Sequence, residues 1–501
     1  MSENPLKKLA GQTAIYGLPT ILGRMLHYAL VPFFTYIFGK PADFGLNIEF
    51  YAYISFLNIL FSYGMETALF NFSSREPDKN IVYSTALRSI VLSTVILCIP
   101  FVCFAPQFAN ILHYPGHGNF IIWAIMIVGT DALAAIPFAK LREENKARRF
   151  AKIKFINIGV QLLINFFFVG LCKYHFEKDA GSFWGSFYNP EIGIGYAFIA
   201  GLMANVVSLL LLLPEIIKIK YGFNFSLWKR MLNYSLPLLI VGFAGMTNET
   251  LDRILLKHLL PEDIAQTQVG VYGACYKISI LMTLFVMAFR YAAEPFFFAR
   301  QKDENAKTLY GSVMTWFVLF CLIIFLGTTL NISWIQYFVG PSYREGLKVV
   351  PILLLANLFL GIYFNLSIWY KLTGRTKFGM WIPILGATIT IVLNFLWIPS
   401  ANSYFGGYMG SAWATLICYG VMMVFSYLIG QKYYPVNYAI LRIFCYLFFA
   451  IGLYFTGYLI CTNSVFLNLI LKNSLLLTYL IAVIVIEKPM KLLRGNDVKN
   501  I

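Results

Sequence analysis

Phe378–Gln431 reads FGMWIPILGATITIVLNFLWIPSANSYFGGYMGSAWATLICYGVMMVFSYLIGQ, 54 residues without one Asp, Glu, Lys or Arg. A membrane span needs only about 20 apolar residues, so this stretch holds two spans and a turn. Ser89–Leu112 and Thr308–Tyr343 are likewise free of these four residue types. In lipid every backbone N–H and C=O needs an internal partner, so such segments must be helical or close into a barrel. The apolar runs are continuous and do not alternate, which disfavours a β-barrel. Only 12% of the 501 residues are charged, against about 25% in soluble domains. The expected fold class is an all-α integral membrane protein. Fourteen spans are expected near residues 12–38, 45–71, 83–105, 119–139, 153–172, 192–215, 232–260, 268–296, 308–331, 348–370, 378–399, 408–430, 439–461 and 466–486.

The chain also repeats itself. Tyr16-Gly17-Leu18-Pro19 returns as Tyr234-Ser235-Leu236-Pro237, offset by 218 residues. Tyr63-Gly64-Met65-Glu66 returns as Tyr291-Ala292-Ala293-Glu294, offset by 228, and Lys140-Leu141 returns as Lys371-Leu372, offset by 231. Three landmarks in one order at near-constant offsets point to a duplication. Six spans per copy keep both copies the same way up, the layout of transporters with a solute path between two halves. The expected organisation is two pseudo-symmetric six-helix lobes, 1–215 and 232–430, joined by a basic cytoplasmic linker, 216–231. Two additional spans, 431–486, and a cytoplasmic tail, 487–501, follow. Prolines fall in or at the ends of many spans, and Pro19 and Pro237, at matching places in the two copies, are the expected hinges.

The net charge of +16 records orientation and does not mark a nucleic-acid site. With the N-terminus in the cytoplasm, cytoplasmic segments hold 26 Lys and Arg, outer loops 6 and spans 7. That is a positive-inside bias. Lys140, Arg142, Lys146, Arg148, Arg149, Lys152 and Lys154 belong to the cytoplasmic count. The apolar run after Lys7 and Lys8 is too long for the h-region of a cleavable signal, so the first span is expected to stay. The eight cysteines fall in or near predicted helices without a CxxC pair and read as small apolar residues. No GxxxxGK[ST] loop or HExxH helix occurs, no metal or cofactor is expected, and the outer loops are too short for catalytic machinery.

Ionisable residues within spans are costly and mark functional positions. Arg24 lies about 13 residues into span 1, with His27 one turn on. Asp131 reaches a similar depth in span 4, so an Arg24–Asp131 pair is geometrically allowed. Its two readings are a grip on an anionic substrate with a coupling proton, or a static bridge. Lys277 sits about 10 residues into span 8, the strongest single cavity residue. Arg290 and Glu294 are four apart on the same helix face. Glu66 is the repeat partner of Glu294 and is expected to pair with Arg88. Glu249, Asp252 and Arg253 lie toward the outer end of span 7; Glu249 and Arg253, four apart, read as an intrahelical pair, or the group as an outer gate.

Several phrases resemble the Wzx-type polysaccharide flippases of the multidrug/oligosaccharidyl-lipid/polysaccharide exporter superfamily. They are Tyr63-Gly64-Met65-Glu66-Thr67-Ala68, and Pro137-Phe138-Ala139-Lys140-Leu141-Arg142 with Glu144-Asn145. Ser235-Leu236-Pro237 with Asp252-Arg253, and Gly270-Val271-Tyr272 leading to Lys277, complete them. The resemblance implies a V-shaped pair of lobes in a bacterial inner membrane, with both termini cytoplasmic. It implies a transporter, not an enzyme, that moves undecaprenyl-pyrophosphate-linked oligosaccharide from the cytoplasmic to the periplasmic leaflet. A cationic cavity is then expected, with Arg24, Lys277, His27 and Arg290 binding the pyrophosphate. Asp131, Glu66, Glu294, Glu249, Asp252 and Arg253 would serve ion coupling or gating. Expected partners are the lipid-linked substrate, membrane lipids, H+ or Na+, and a polysaccharide polymerase or ligase. The rival readings are a membrane glycosyltransferase, polymerase or ligase, a lipid II-type flippase, or a drug exporter.

Overall fold

Local sequence signals place the helix ends. Asp78 caps a helix by accepting from the Asn80 amide at 2.9 Å, and Asn224 caps another by accepting from the Leu227 amide at 3.0 Å. Both satisfy amides left without intrahelical partners. Pro41, Pro106 and Pro351 sit at first-turn positions, where a missing N–H costs nothing. The computed structural model describes residues 28–217, 222–400, 405–460, 462 and 464–487. In chain order its helices are α1 (Tyr28–Ile37), α2 (Pro41–Ser62), α3 (Met65–Ser73), α4 (Lys79–Cys103), α5 (Ala105–Ile111), α6 (Gly118–Glu143), α7 (Ala147–Asn165), α8 (Lys173–Lys178), α9 (Tyr196–Ile217) and α10 (Phe225–Leu259). There follow α11 (Glu262–Ala299), α12 (Ala306–Leu330), α13 (Ile332–Ile335), α14 (Val350–Leu366), α15 (Ile368–Leu372), α16 (Phe378–Trp397), α17 (Gly407–Tyr433), α18 (Ile440–Leu459) and α19 (Val465–Glu487).

The fold is all-α, with no strand among the described residues. Twelve described helical stretches are long and apolar enough to cross a membrane. The expected spans 1 and 7 lie beyond that number for separate reasons. Only Tyr28–Ile37 of span 1 is described. Span 7 is the 35-residue α10, ample in length but carrying Asn248, Glu249, Asp252 and Arg253. Among the described residues there are thus twelve spans and the long α10, and most of span 1 lies outside them. Leu441, 79% exposed, and the exposed Leu163, Phe448 and Leu459 have no water-soluble rationale and face lipid.

Backbone contacts divide the chain into two compact units, Met1–Gly273 with Asn394–Ala401, and Ala274–Leu393 with Asn402–Ile501. In the first, α2, α4, α6, α9 and α10 pack around Phe50, Phe61, Met65, Leu87, Val128 and Phe198. In the second, α14 packs along α17, and α12 along α14, α18 and α19. An amide pair, Asn331 with Asn473 at 2.9 and 3.2 Å, ties the end of α12 to α19.

The Tyr63-Gly64 motif has a structural cause. Tyr63 (φ 30°) and Gly64 (φ 72°) both adopt left-handed backbone and split the second span into α2 and α3. The Tyr63 hydroxyl is 2.7 Å from Ser89 Oγ, to which Trp228 Nε1 also donates at 2.7 Å. A Cβ on Gly64 would meet Ser235 O at 3.1 Å and Leu238 Cβ at 3.2 Å. Two phrases far apart in sequence, Tyr63-Gly64 and Ser235-Leu236-Pro237, are thus one contact. Gly64→Ala is expected to cost about 1–2 kcal/mol from the left-handed conformation, measured by thermal unfolding of the detergent-purified protein. An unchanged midpoint would refute the contact.

Candidate functional site

Ionisable side chains inside the first unit converge on α6. Asp131 lies 13 residues along α6 from Gly118, about 20 Å from that end. It is exposed, and Asn205 Nδ2 of α9 donates to its Oδ1 at 2.9 Å. Asn58 of α2 also bonds it, and Lys154 of α7 lies within electrostatic reach. Asn157 Nδ2 extends the set by donating to Asn205 Oδ1 at 3.2 Å and Ser208 Oγ at 2.9 Å. A carboxylate at this depth is stable facing water or polar groups and unstable facing lipid.

Lys154, counted with the cytoplasmic basic residues, lies inside the continuous helical stretch Ala147–Lys178, its Nζ 4.2 Å from the centroid of the Phe138 ring. Arg142 and Glu66 also act on it electrostatically. Arg142 NH2 is 2.5 Å from Glu66 Oε1, and its guanidinium stands over Phe70. A charged series therefore runs from mid-span Asp131 through Lys154 to Arg142 and Glu66. The expected Glu66–Arg88 pair is corrected: Glu66 pairs with Arg142, while Arg88 is exposed on α4.

The second unit carries the matching ion pair. Glu294 of α11 pairs with Lys371 of α15, and with Arg290 one turn back at 3.7 Å. Glu66 and Glu294 are repeat partners, as are the Lys140-Leu141 and Lys371-Leu372 landmarks. Each unit thus pins its Glu-bearing helix to a cation at or just beyond the matching landmark. Arg290 stands 4.6 Å over the Phe364 ring. With Glu294, Lys371 and Asn365 it lines a cavity of about 20 Å³, room for one water. Asn365 is 7% exposed and its buried Nδ2 has no protein hydrogen-bond partner.

Lys277 lies 15 residues along α11, about 22 Å from its start, and is half-buried. Glu249 is exposed, whereas Asp252 and Arg253 are buried at 3% and 8%. Tyr272 of α11 donates to Asp252 Oδ2 at 2.6 Å, and the Arg253 guanidinium donates to the Glu249 carbonyl at 2.5 Å and lies 3.4 Å from Asp252 Oδ1. Asp252, Arg253 and Tyr272 thus tie α10 to α11, and the expected Glu249–Arg253 pair is corrected: Arg253 pairs with Asp252 and meets Glu249 at its backbone carbonyl. Arg24 and His27 lie outside the described residues.

Sequence reading also passed over Glu49. Glu49 on α2, absent from the expected site residues, is completely buried. The signal was present, since Glu49 falls within the expected second span.

A multi-pass helical protein with ionisable residues deep in its helices and an ion pair in each of its two units has the build of a membrane transporter. The chain belongs to the polysaccharide biosynthesis protein family, whose profile matches residues 9–301. A second profile, MatE, matches residues 237–396. Both place the protein in the multidrug/oligosaccharidyl-lipid/polysaccharide exporter superfamily. No curated protein sequence matches it. Among solved structures it is similar to the lipid II flippase MurJ in an inward closed conformation, with TM-score 0.72 and 16% identity over 95% of this chain and 99% of that one. An inward-facing multidrug resistance MATE transporter gives TM-score 0.59 and 14% identity over 84% of this chain and 94% of that one. The Vibrio cholerae MATE transporter VcmN, in a mutant form, gives 0.57 and 15% over 85% and 97%.

Proposed function

We propose that this protein is a flippase for undecaprenyl-pyrophosphate-linked oligosaccharide, working by alternating access and coupled to H+, Na+ or the membrane potential. The observation that carries the reading is the family match over more than half the chain. The likeness of nearly the whole chain to the fold of a lipid II flippase supports it. In this reading the lobes are residues 1–215 and 232–430, and the headgroup passes between them while the polyprenyl tail stays in lipid. The protein lies in a bacterial inner membrane with both termini cytoplasmic. It hands its cargo to a polymerase or ligase and performs no chemical conversion itself.

Arg24, His27, Lys277 and Arg290 would neutralise the pyrophosphate by charge-assisted contacts. Asp131, Glu66 and Glu294 are the coupling carboxylates, and Glu249, Asp252 and Arg253 the outer gate. The polar set around Asp131 supports a wet interior at that depth. The test is the lipid-linked sugar pool of a deletion strain, with membrane sidedness probed. Intact intermediates trapped on the cytoplasmic leaflet are expected, and their mass names the sugar or shows lipid II instead. Intermediates that cross but stay unpolymerised or unligated would favour an enzyme. In the same strain, Arg24→Ala and Lys277→Ala are expected to restore no export while accumulating normally in the membrane. Each charge-assisted contact contributes about 1.5–3 kcal/mol, tenfold or more in substrate retention. Normal export by both variants would sink the cationic cavity.

A further inference from the structure

Glu49 sits in a hydrogen-bonded set that reaches from a buried carboxyl to an exposed histidine. It lies eight residues into α2, about 12 Å along the helix from Pro41, and has no exposed surface. Tyr53, one turn on, places its hydroxyl 3.1 Å from Glu49 Oε1 and 2.7 Å from Nε2 of His258 near the end of α10. Tyr114, in the turn before α6, places its hydroxyl on Glu49 Oε2 and 2.9 Å from Gln266 Oε1 of α11. His258 is exposed. His113 is exposed beside it, with ring centroids 6.1 Å apart and its Nδ1 3.2 Å from Glu262 Oε1. The charged and titratable groups around Glu49 are thus Tyr53 on its own helix, Tyr114 and His113 from the turn, Lys257 and His258 from α10, and Glu262 from α11. Lys257 supplies the positive charge, its Nζ 5.1 Å from the centroid of the Tyr114 ring.

The hydrogens of this set can be arranged in two ways. A phenol has one hydrogen and an ionised carboxylate has none. With Glu49 ionised, Tyr53 and Tyr114 both donate to it, and His258 Nε2–H donates to Tyr53. Gln266 then turns its amide to donate to Tyr114. With Glu49 protonated on Oε2, it donates to Tyr114, whose hydrogen passes to Gln266 Oε1. The Gln266 Nε2, buried and without a partner as the amide stands, is the donor that the first arrangement uses. Burial, and then the neighbouring Glu49 charge, push the Tyr114 phenol above its ordinary range, so it remains a donor. Both arrangements satisfy the buried oxygens, as a site that gains and loses a proton requires.

We propose that Glu49 is a proton-binding site of the transport cycle, filled from the outer face through His258 and Tyr53. The hop conserves protons: His258, first protonated from the medium to an imidazolium, loses its Nε2–H as that proton reaches the Tyr53 oxygen, the proton already on that oxygen moves to Glu49 Oε1, and a neutral imidazole with Nδ1–H is left. Rotation of the carboxyl carries it to the Oε2 side, and His258 is reprotonated from the medium, where imidazole exchanges readily near neutral pH. Loading changes the bonds joining α2 to the Tyr114 turn, α10 and α11 from charge-assisted to neutral, weakening them. The identity of the outer face rests on the proposed orientation, since this end of α6 is opposite the Lys140–Arg149 loop.

The test is infrared difference spectroscopy of the full-length protein in phosphatidylethanolamine–phosphatidylglycerol vesicles. It needs no substrate, so it stands apart from the flippase reading, which the lipid-linked sugar pool decides. Acidification is expected to raise a carboxylic-acid carbonyl band that is missing in Glu49→Gln. In Tyr53→Phe and His258→Asn the band should reach its full height, but protonation after a pH jump should slow roughly 10²-fold. A purely structural Glu49 would leave that rate unmoved. Should Glu49→Gln not fold, the Tyr53→Phe and His258→Asn rates still decide the route. A band unchanged in Glu49→Gln, or wild-type rates in both relay variants, overturns the proposal.

Discussion

Gly270→Val is expected to abolish accumulation of folded protein. A Cβ at Gly270 would lie 1.9 Å from the Pro41 carbonyl oxygen, and one at the facing Gly45 would lie 2.2 Å from the Gln266 carbonyl oxygen. The α2 and α11 backbones therefore touch, as helices do in membranes where small residues let them approach. The clashing atoms belong to the backbone, so no rotamer change relieves them and the helices must separate. Overpacking a core ordinarily costs about 1–3 kcal/mol, and this contact lies beyond that ordinary case. Size-exclusion of a fluorescent fusion should lose its monodisperse peak. Gly159→Ala is the control, because nothing lies within 4 Å of a Cβ there. A Gly270→Val variant eluting like the parent would refute the close crossing.

Arg253→Met is expected to be the other severe change. It leaves the Asp252 carboxylate buried with only the Tyr272 hydroxyl and the residue-253 amide as donors. Removing one partner of a buried ion pair costs about 3–5 kcal/mol, because the other charge is left uncompensated. Adding Asp252→Asn removes that charge, so the double variant should recover most of the loss. Thermal unfolding of the parent, both single variants and the double variant measures the coupling. A single-variant loss under about 1 kcal/mol would mean that the pair behaves like a surface bridge.

The distinction between what was legible and what was not follows helix geometry. Charge-free runs such as Phe378–Gln431 admit one solution in lipid, so the class and most spans could be read directly. Spacing along one helix was reliable in part: Arg290 and Glu294 pair as expected, whereas Arg253 pairs with Asp252 and meets Glu249 at its backbone carbonyl. Partners on different helices were not. Glu66 was matched to Arg88 because both lie near the same membrane surface, yet the structure turns Arg88 outward and brings Arg142 to Glu66. Lys154 was counted with its basic neighbours in sequence, although its side chain lies over Phe138 and near Asp131. Glu49 looked like the start of a span, and only its burial with Tyr53 and Tyr114 sets it apart.

The sequence by itself determined that the chain is helical and membrane-spanning, that three landmark phrases recur in one order, and how far along its own helix each ionisable residue lies. Those properties depend on hydropathy, length and a rise of about 1.5 Å per residue, all local to one helix. Only the tertiary structure decided which charge meets which, that α2 and α11 touch through glycine, and that a buried glutamate connects to an exposed histidine. Those depend on how each helix is rotated about its axis and which neighbour it packs against. Lipid does not distinguish one apolar face from another, so packing of small residues and polar contacts between helices make that choice.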